Sequence, residues 1–145
     1  RGLYHDNMAG GSFSNCSFIN NNEQGIYISA NADLEHTSFL NSNLFGNGAN
    51  EEVYVSCCNE DNIQAEIEMK YSYWGDATTA EMNDGNNPKN ISRINDWWDD
   101  NQKAQVNYAG WVGGSGSLGY TGDVLLTDSD YNDIGEEYPA GTETI

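Results

Sequence analysis

The hydrophobic pattern of the chain predicts short strands, and a phrase that contains one of them occurs twice. Residues 17–22 read Ser-Phe-Ile-Asn-Asn-Asn, and residues 38–43 read Ser-Phe-Leu-Asn-Ser-Asn, 21 positions later. A β-rich run follows each copy, at residues 25–28 and, after a longer loop, at residues 53–55. A repeat of about 20–30 residues with strands inside it is typical of a stacked solenoid. The pattern therefore predicts an all-β fold.

The apolar positions of these strands are expected to fill one core. The predicted core residues are Phe18, Ile19, Ile26, Ile28, Phe39, Leu40, Val53 and Val55. Residues 10–18 alternate between apolar and polar side chains, which is typical of a strand with one buried face. A third rung is predicted where Ile63, Ala65, Ile67 and Met69 occupy every second position.

Asn20 and Asn41 occupy the same position in the two copies of the phrase. Asparagine tolerates left-handed backbone angles and hydrogen-bonds to neighbouring backbone, so it suits sharp corners. Asparagines in successive rungs can also bond to one another. The sequence therefore predicts that these two residues form a structural ladder at one corner.

The pattern changes after residue 75 and divides the chain into three parts. Residues 1–75 are predicted to be rungs, and residues 76–112 a cap with a short helix and a last strand. The helix is expected where Ile91, Ile94, Trp97 and Trp98 follow a candidate N-cap, Asn90, and the strand where Val106, Tyr108 and Trp111 alternate. Residues 113–145 form a Gly/Ser linker and an acidic tail.

The repeated phrase, the Tyr-Ser-Tyr-Trp-Gly turn at residues 71–75 and the segments at 87–91 and 106–111 resemble the right-handed parallel β-helix superfamily, the pectate-lyase-like fold. The likeness is to the C-terminal rungs and cap of a bacterial or phage extracellular protein. It implies a right-handed parallel β-helix with few rungs, an aromatic-rich cap and an acidic tail. An unrelated all-β sandwich is the alternative if the repeat is accidental. Lyases of this fold use basic residues beside calcium-binding aspartates, and no strand here presents an arginine beside paired carboxylates. No catalytic residue is therefore assigned, although an active site on upstream rungs stays open.

Charge limits the partners of this chain. It carries 23 acidic and 5 basic residues, a net charge of -18, so polyanions are repelled and no nucleic-acid partner is expected. No apolar run is long enough to cross a bilayer, so no membrane insertion is expected. Aromatic residues make up 12% of the chain, more than a disordered acidic tail contains.

Three cysteines, Cys16, Cys57 and Cys58, leave two alternatives. Buried free thiols are the first, because cysteine often serves as a small hydrophobic residue. A bridge from Cys16 to Cys57 or Cys58 is the second, and it would fit a secreted protein. The neighbours Cys57 and Cys58 are not expected to bridge each other.

Candidate ligand sites are an acidic cluster and a set of aromatic residues. Asp128, Asp130, Asn132 and Asp133 offer closely spaced oxygens that suit calcium, although a solvated acidic tail gives the same pattern. Trp97, Trp98 and Tyr73 are candidate glycan contacts, and burial at the end of the stack is the alternative. Two further groups, His36 with Asp33 and Glu66 with Glu68, could serve acid–base chemistry but equally suit a polar outer face.

The sequence therefore predicts a non-enzymatic structural or adhesive module of an extracellular, cell-surface or virion assembly, such as a fibre, tailspike or filament subunit. Self-association is expected, because an exposed first rung offers a strand edge. The alternative is a carbohydrate-binding or carbohydrate-active fragment, with calcium as a candidate cofactor. The chain starts at Arg1 within the strand pattern, so we expect it to be a C-terminal piece of a longer protein.

Overall fold

Short strands dominate the computed structural model, which describes residues 1–6, 10–48, 50–57 and 65–113. Among these residues the strands are β1 Leu3–His5, β2 Gly11–Ser14, β3 Ser17–Ile19, β4 Ile26–Ile28, β5 Thr37–Leu40, β6 Asn43–Phe45, β7 Val53–Val55, β8 Glu66–Glu68, β9 Ile94–Asn95 and β10 Gln105–Asn107. One helix, α1, spans Asp76–Asn83 in the described part of the chain.

The strands form three sheets, which the chain visits in turn. Sheet A has the order β1-β4-β7-β9, sheet B the order β2-β5-β8-β10, and sheet C pairs β3 with β6. Every strand pair within the described residues is parallel. An isolated parallel bridge from Asn43 to Tyr73 extends sheet C by one position. The fold is all-β with little helix, and in general terms it is consistent with a β-solenoid.

The register of the strands corrects the 21-residue repeat. Ser12 lies opposite Ser38, and Ser17 lies opposite Asn43, so the true offset of both pairs is 26 residues. The two copies of the repeated phrase therefore lie in different sheets, with Ser17 in β3 and Ser38 in β5. They look alike because each is a strand that ends at an asparagine corner.

The corner between sheets B and C is built from residues in the left-handed backbone region. Asn15, Asn41 and Tyr71 have φ angles of 56°, 51° and 61°, and Gly110 has a φ of 67°. Their amides connect them in order: the N–H of Asn15 donates to Leu40, that of Asn41 to Lys70, and that of Tyr71 to Ala109. The four residues therefore stack at one corner, where asparagine and glycine accept the left-handed conformation with least strain.

Asn20 and Asn41 do not form the predicted ladder, because they lie at different corners. Asn20 has a φ of 54° and donates its backbone N–H to Phe45, one residue before Gly46. An added Cβ on Gly46 would lie 2.5 Å from the Asn20 side-chain oxygen. Side-chain bonding between rungs occurs one residue later, where the amide of Asn21 donates to Asn47 Oδ1 at 2.8 Å.

The core lies between the three sheets. Its fully buried side chains include Ile26, Ile28, Phe39, Leu44, Val53, Val55, Ile67, Met69 and Val106. Most of the predicted core residues are among them, and Phe18 packs against this cluster while remaining partly exposed. Two predictions are wrong: Ile19 is 37% exposed, and Leu40 is only partly buried. Both lie on the outward face, because side chains alternate along a strand and Phe18 and Phe39 take the inward positions.

The cap differs from its predicted form. The predicted helix over residues 90–98 is wrong, since Ile94–Asn95 is strand β9, which pairs with β7 in sheet A. The helix instead spans Asp76–Asn83 and buries Thr78, Thr79 and Met82. A last strand is present at Gln105–Asn107 with Val106 buried, whereas Tyr108 and Trp111, which were predicted to alternate within it, lie beyond its end. Trp74 and Trp111 are also buried, at 1% and 6% exposure, and belong to the hydrophobic core cluster.

One spacing stays constant through the stack. Ser17 lies five positions after Ser12, Asn43 five positions after Ser38, and Tyr73 five positions after Glu68. These residues form the stacked positions of sheets B and C. The connections from sheet A to sheet B have no fixed length, because β1 is linked to β2 by five residues and β4 to β5 by eight. The sheet B to sheet C corner is therefore the connection of constant length in each rung.

Candidate functional site

A polar groove of 530 Å³ lies on the outer face of sheet B. Its lining includes Ser12, His36, Ser38, Glu66 and Glu68, and we call it the sheet B groove. These side chains point outward because their strand neighbours, such as Phe39 and Ile67, point into the core. The groove thus brings together the two acid–base candidates of the sequence, which are distant along the chain.

Three charged side chains of the sheet B groove, His36, Glu66 and Glu68, each have a polar neighbour within hydrogen-bond distance. His36 Nδ1 lies 2.9 Å from a carboxylate oxygen of Asp33. Lys70 donates to Glu68 at 2.8 Å, and this hydrogen bond raises the pKa of Lys70. Glu66 accepts a hydrogen bond from the Asn107 side chain at 2.8 Å. These pairings favour a structural, hydrogen-bonded surface over an acid–base pair poised for catalysis.

A column of tyrosines covers the outer face of sheet A. Tyr4, Tyr27 and Tyr54 lie opposite one another in β1, β4 and β7, and their rings stack at centroid distances of 5.2 Å. The Arg1 guanidinium lies 4.5 Å from the Tyr27 ring centroid, and Lys103 Nζ lies 4.4 Å from that of Tyr54. Such contacts stabilise the rung register, because each ring face meets a neighbour or a cation.

The sequence analysis did not single out this tyrosine column. A signal was present in three triplets, Leu-Tyr-His, Ile-Tyr-Ile and Val-Tyr-Val, which place a tyrosine between two inward residues. The triplets are spaced unevenly along the chain, so their alignment follows only from the strand register.

The three candidate glycan contacts do not form one surface. Trp97 and Trp98 make an edge-to-face pair with a centroid distance of 5.1 Å, in the turn after β9, and Trp98 is 36% exposed. Tyr73 lies at sheet C, where its ring meets the edge of Phe45 and its hydroxyl donates to Asp76 at 2.5 Å. No contact joins Tyr73 to the tryptophans within the described residues.

A buried carboxylate organises the turn that carries the tryptophans. Asp96 is 2% exposed, and its side chain accepts the backbone N–H groups of Val106 at 2.7 Å and Trp98 at 3.0 Å. Burial raises the pKa of Asp96 to about 6, and the nearby Asp99 carboxylate adds to the shift. Asp96 thus connects the turn to β10, and its protonation is coupled to their packing.

A buried ion pair fastens the cap to the rungs. Glu52 is 2% exposed and receives Arg93 Nη2 at 2.6 Å and Nε at 3.1 Å on one carboxylate oxygen. Its other oxygen accepts the side-chain amide of Asn47. Arg93 Nη2 also donates to the Asn47 carbonyl at 2.9 Å. The network continues to Asn21, so it spans three successive turns of the stack.

Next to this network lies a cavity of 430 Å³, which we call the α1 cavity. Phe45 and Trp74 form an apolar wall of the cavity. Residues 75–78, at the start of α1, form a second wall, and Glu81 and Arg93 line the remaining part. The sequence analysis did not predict this cavity. It arises because Gly75, with a φ of 78°, turns the chain from sheet C into the helix.

The metal and cysteine predictions have different outcomes. The calcium candidates Asp128, Asp130, Asn132 and Asp133 lie outside the described residues. Within the described ranges, no group of three or more His, Cys, Asp or Glu side chains is placed to hold a metal ion. Cys16 is a free, partly buried thiol, so the predicted bridge from Cys16 to Cys57 or Cys58 is wrong. Cys57 is disulfide-bonded, so the prediction of free thiols is wrong for this residue. Cys58 lies outside the described residues.

Comparison with known proteins finds no family, curated protein or solved structure that matches this chain. Over the part of the chain that the structure describes, no helix combines the length and apolarity needed to cross a bilayer.

Proposed function

We propose that this chain is a non-enzymatic structural or adhesive module of an extracellular, cell-surface or virion assembly. In this proposal it forms the last rungs and the cap of a right-handed parallel β-helix of the pectate-lyase-like type. The main support is the register of the three parallel sheets, in which each strand lies directly over its counterpart in the next rung. A fibre or filament needs such a stack, because parallel strands can be added at its end without changing the core.

In the isolated 145-residue chain, the edge of β1 that faces away from β4 offers a contact to a second copy. Among the described strands β1 pairs with β4 alone, through the N–H of Leu3, which donates to Gly25, and the carbonyl of His5, which accepts from Ser29. Backbone groups of neighbouring strand residues point to opposite edges, so the N–H and C=O of Tyr4 face away from β4. An unpaired edge of this kind favours strand addition.

Sedimentation velocity on the 145-residue chain, with calcium and then with EDTA, tests the assembly. We expect trimers or longer polymers at increasing concentration, and loss of assembly in EDTA would place calcium at the joint. Tyr4→Pro removes the outward N–H without removing a bond to β4 and is expected to abolish assembly. Tyr4→Ala removes the same ring but keeps the N–H, so it should still assemble. A compact monomer under every condition would refute the assembly proposal.

A second candidate function is glycan binding, with calcium as an optional cofactor, and the exposed ring of Trp98 favours it. Aromatic rings with one exposed face are common contacts for flat, partly apolar ligands. A glycan array with calcium present tests this function, and Trp98→Ala should lower retention. If the variant retains the same glycans equally well, Trp98 does not contribute to binding.

A further inference from the structure

Lys103 carries a buried amine that has no ion-pair partner. The residue is 6% exposed, and no carboxylate among the described residues lies within ion-pair distance of Nζ. The neighbours of this amine are neutral: Nζ donates to the side-chain oxygen of Asn95 and lies 4.4 Å from the ring centroid of Tyr54. Lysine is seldom buried without a paired charge, because burial removes the water that stabilises an ammonium group. A reaction that converts this amine into a neutral group would therefore remove a buried charge.

The turn between β9 and β10 holds Lys103 over Asn95. Asn95 lies opposite Tyr54 in the parallel pair of β9 with β7, so both side chains point to the outer face of sheet A. The chain then folds back, and the N–H of Trp97 donates to the carbonyl of Ala104, the neighbour of Lys103, at 3.0 Å. The fold thus keeps the amine of Lys103 beside the amide of Asn95.

We propose that Lys103 and Asn95 become joined by an intramolecular isopeptide bond. The neutral amine attacks Cγ of Asn95, the Nζ–Cγ bond forms, and the Cγ–Nδ2 bond breaks as ammonia leaves. The proton lost by the Lys103 ammonium group departs with the ammonia. An ammonium group and a primary amide therefore give a secondary amide and an ammonium ion, and atoms and charge balance without a further reactant. Because the fold holds the two groups in contact, the step is unimolecular, which lowers its barrier.

A buried carboxyl interacts with Lys103 and is assigned the proton transfer. Asp96 follows Asn95 directly and is 2% exposed. Burial raises the pKa of Asp96 to about 6, and the positive charge of Lys103 acts against this shift. A carboxyl with a pKa close to neutral can both accept a proton and return it. Asp96 takes the proton from Lys103 and passes it to the leaving ammonia.

The isopeptide bond ties β9 to the segment that leads into β10. It thereby adds a covalent link within the cap, where the chain turns from sheet A to sheet B. This modification goes beyond the proposed function, and it depends neither on assembly nor on glycan binding.

Intact-mass spectrometry of the folded full chain, after reduction of its disulfide, tests the bond. We expect a mass lower than that of the sequence by one molecule of ammonia. Lys103 is the last lysine or arginine of the chain, and trypsin does not cleave after an acylated lysine. The modified chain should therefore yield residues 94–145 as one tryptic product that lacks one ammonia. Full mass, or a loss of ammonia with normal cleavage after Lys103, would refute the proposal.

Two lysine variants form a matched pair. Lys103→Arg keeps the positive charge, but its guanidinium stays protonated and does not attack an amide, so this variant should keep its full mass. Lys70→Arg is the control, because Lys70 is paired with Glu68 at 2.8 Å and should take no part in the reaction. The control should lose ammonia as the unaltered chain does. Loss of ammonia in Lys103→Arg would assign the reaction to another residue and overturn the proposal.

Asp96→Asn separates proton transfer from a structural role. Both chains are kept in urea before they fold and are then refolded by dilution, and the loss of ammonia is followed over time. The variant should react more slowly by about 100-fold or more. The ratio of the two rates should shrink below pH 6, because a protonated Asp96 cannot accept a proton. Equal rates, or a ratio that does not change with pH, would refute the role assigned to Asp96.

Discussion

Replacing Glu52 with glutamine should be among the most destabilising single changes to the polar groups of this chain. Glu52 Oε1 accepts two bonds from Arg93, and Oε2 accepts from the Asn47 side chain. Glutamine retains one acceptor oxygen but replaces the other with an NH₂ group, which would face existing donors. The variant therefore removes the Glu52 charge from beside a partly buried guanidinium.

The magnitude follows from the burial of the pair. The Glu52 side chain is 3% exposed and that of Arg93 is 28% exposed, so solvent screens their interaction weakly. Removing one partner of a buried ion pair typically costs about 3–5 kcal/mol. A domain of this size has a free energy of unfolding of about 5–15 kcal/mol, so Glu52→Gln should remove a large part of it.

Urea denaturation followed by tryptophan fluorescence measures this loss, with the slope m checked for constancy. The matched control is Glu68→Gln, which breaks the Lys70–Glu68 pair, whose side chains are 27% and 45% exposed. Exposed pairs contribute about 0–1 kcal/mol, so the control should change little. If the two variants lose equal free energy, the network of Glu52 does not fasten the cap to the rungs, and our reasoning is wrong.

Three further variants test other parts of the structure. The pKa of Asp96 is raised from 3.8 to about 6 in the folded chain. Its contribution to the free energy of unfolding is therefore present below pH 4 and is lost as the pH rises through 6. The total contribution is about 3 kcal/mol. Asp96→Asn should remove this pH dependence, so the difference in stability between the two chains should change by this amount between pH 4 and 7. Gly46→Ala should cost more than Gly85→Ala, because both have positive φ but only the Cβ at position 46 meets a neighbour, the Asn20 side chain. Phe39→Ala should cost about 3–5 kcal/mol in urea denaturation, because the ring is fully buried.

For each of these variants, one result would contradict the prediction. An Asp96→Asn variant whose stability runs parallel to that of the unaltered chain from pH 4 to 7 would place the titration elsewhere. If Gly46→Ala and Gly85→Ala lose equal free energy of unfolding, backbone strain alone explains both losses and the contact with Asn20 contributes nothing. A loss below about 1 kcal/mol for Phe39→Ala would mean that this ring lies outside the well-packed core.

The sequence predicted the strands well because their inward positions carry a strong alternating signal. Ile26 and Ile28 flank Tyr27, and Val53 and Val55 flank Tyr54, and all four aliphatic residues are buried. The rung register could not be obtained in the same way. Each rung has two corners that accept left-handed asparagine, so Asn20 and Asn41 looked equivalent although they turn different corners.

The cap was predicted less accurately, because local spacing there has two interpretations. Ile91 and Ile94 are both buried, as a helix would require, yet Ile94 is buried by pairing with β7. The helix at Asp76–Asn83 buries two threonines and one methionine, a weak apolar stripe that hydrophobic periodicity does not distinguish. The α1 cavity depends on Gly75 and on contacts between distant segments, and no single stretch of sequence contains that information.

The constant five-residue step from sheet B to sheet C has a consequence for how such a chain can change. A one-residue insertion at this corner would turn the side chains of the following sheet C strand to the opposite face, whereas the links from sheet A to sheet B already differ in length without disturbing the stack. The molecule thus combines connections of constant length between sheets B and C with connections of variable length between sheets A and B. Foreign peptides inserted into the β1–β2 link and into the β4–β5 link should leave the same side of the molecule in neighbouring rungs, about one strand separation of 4.8 Å apart.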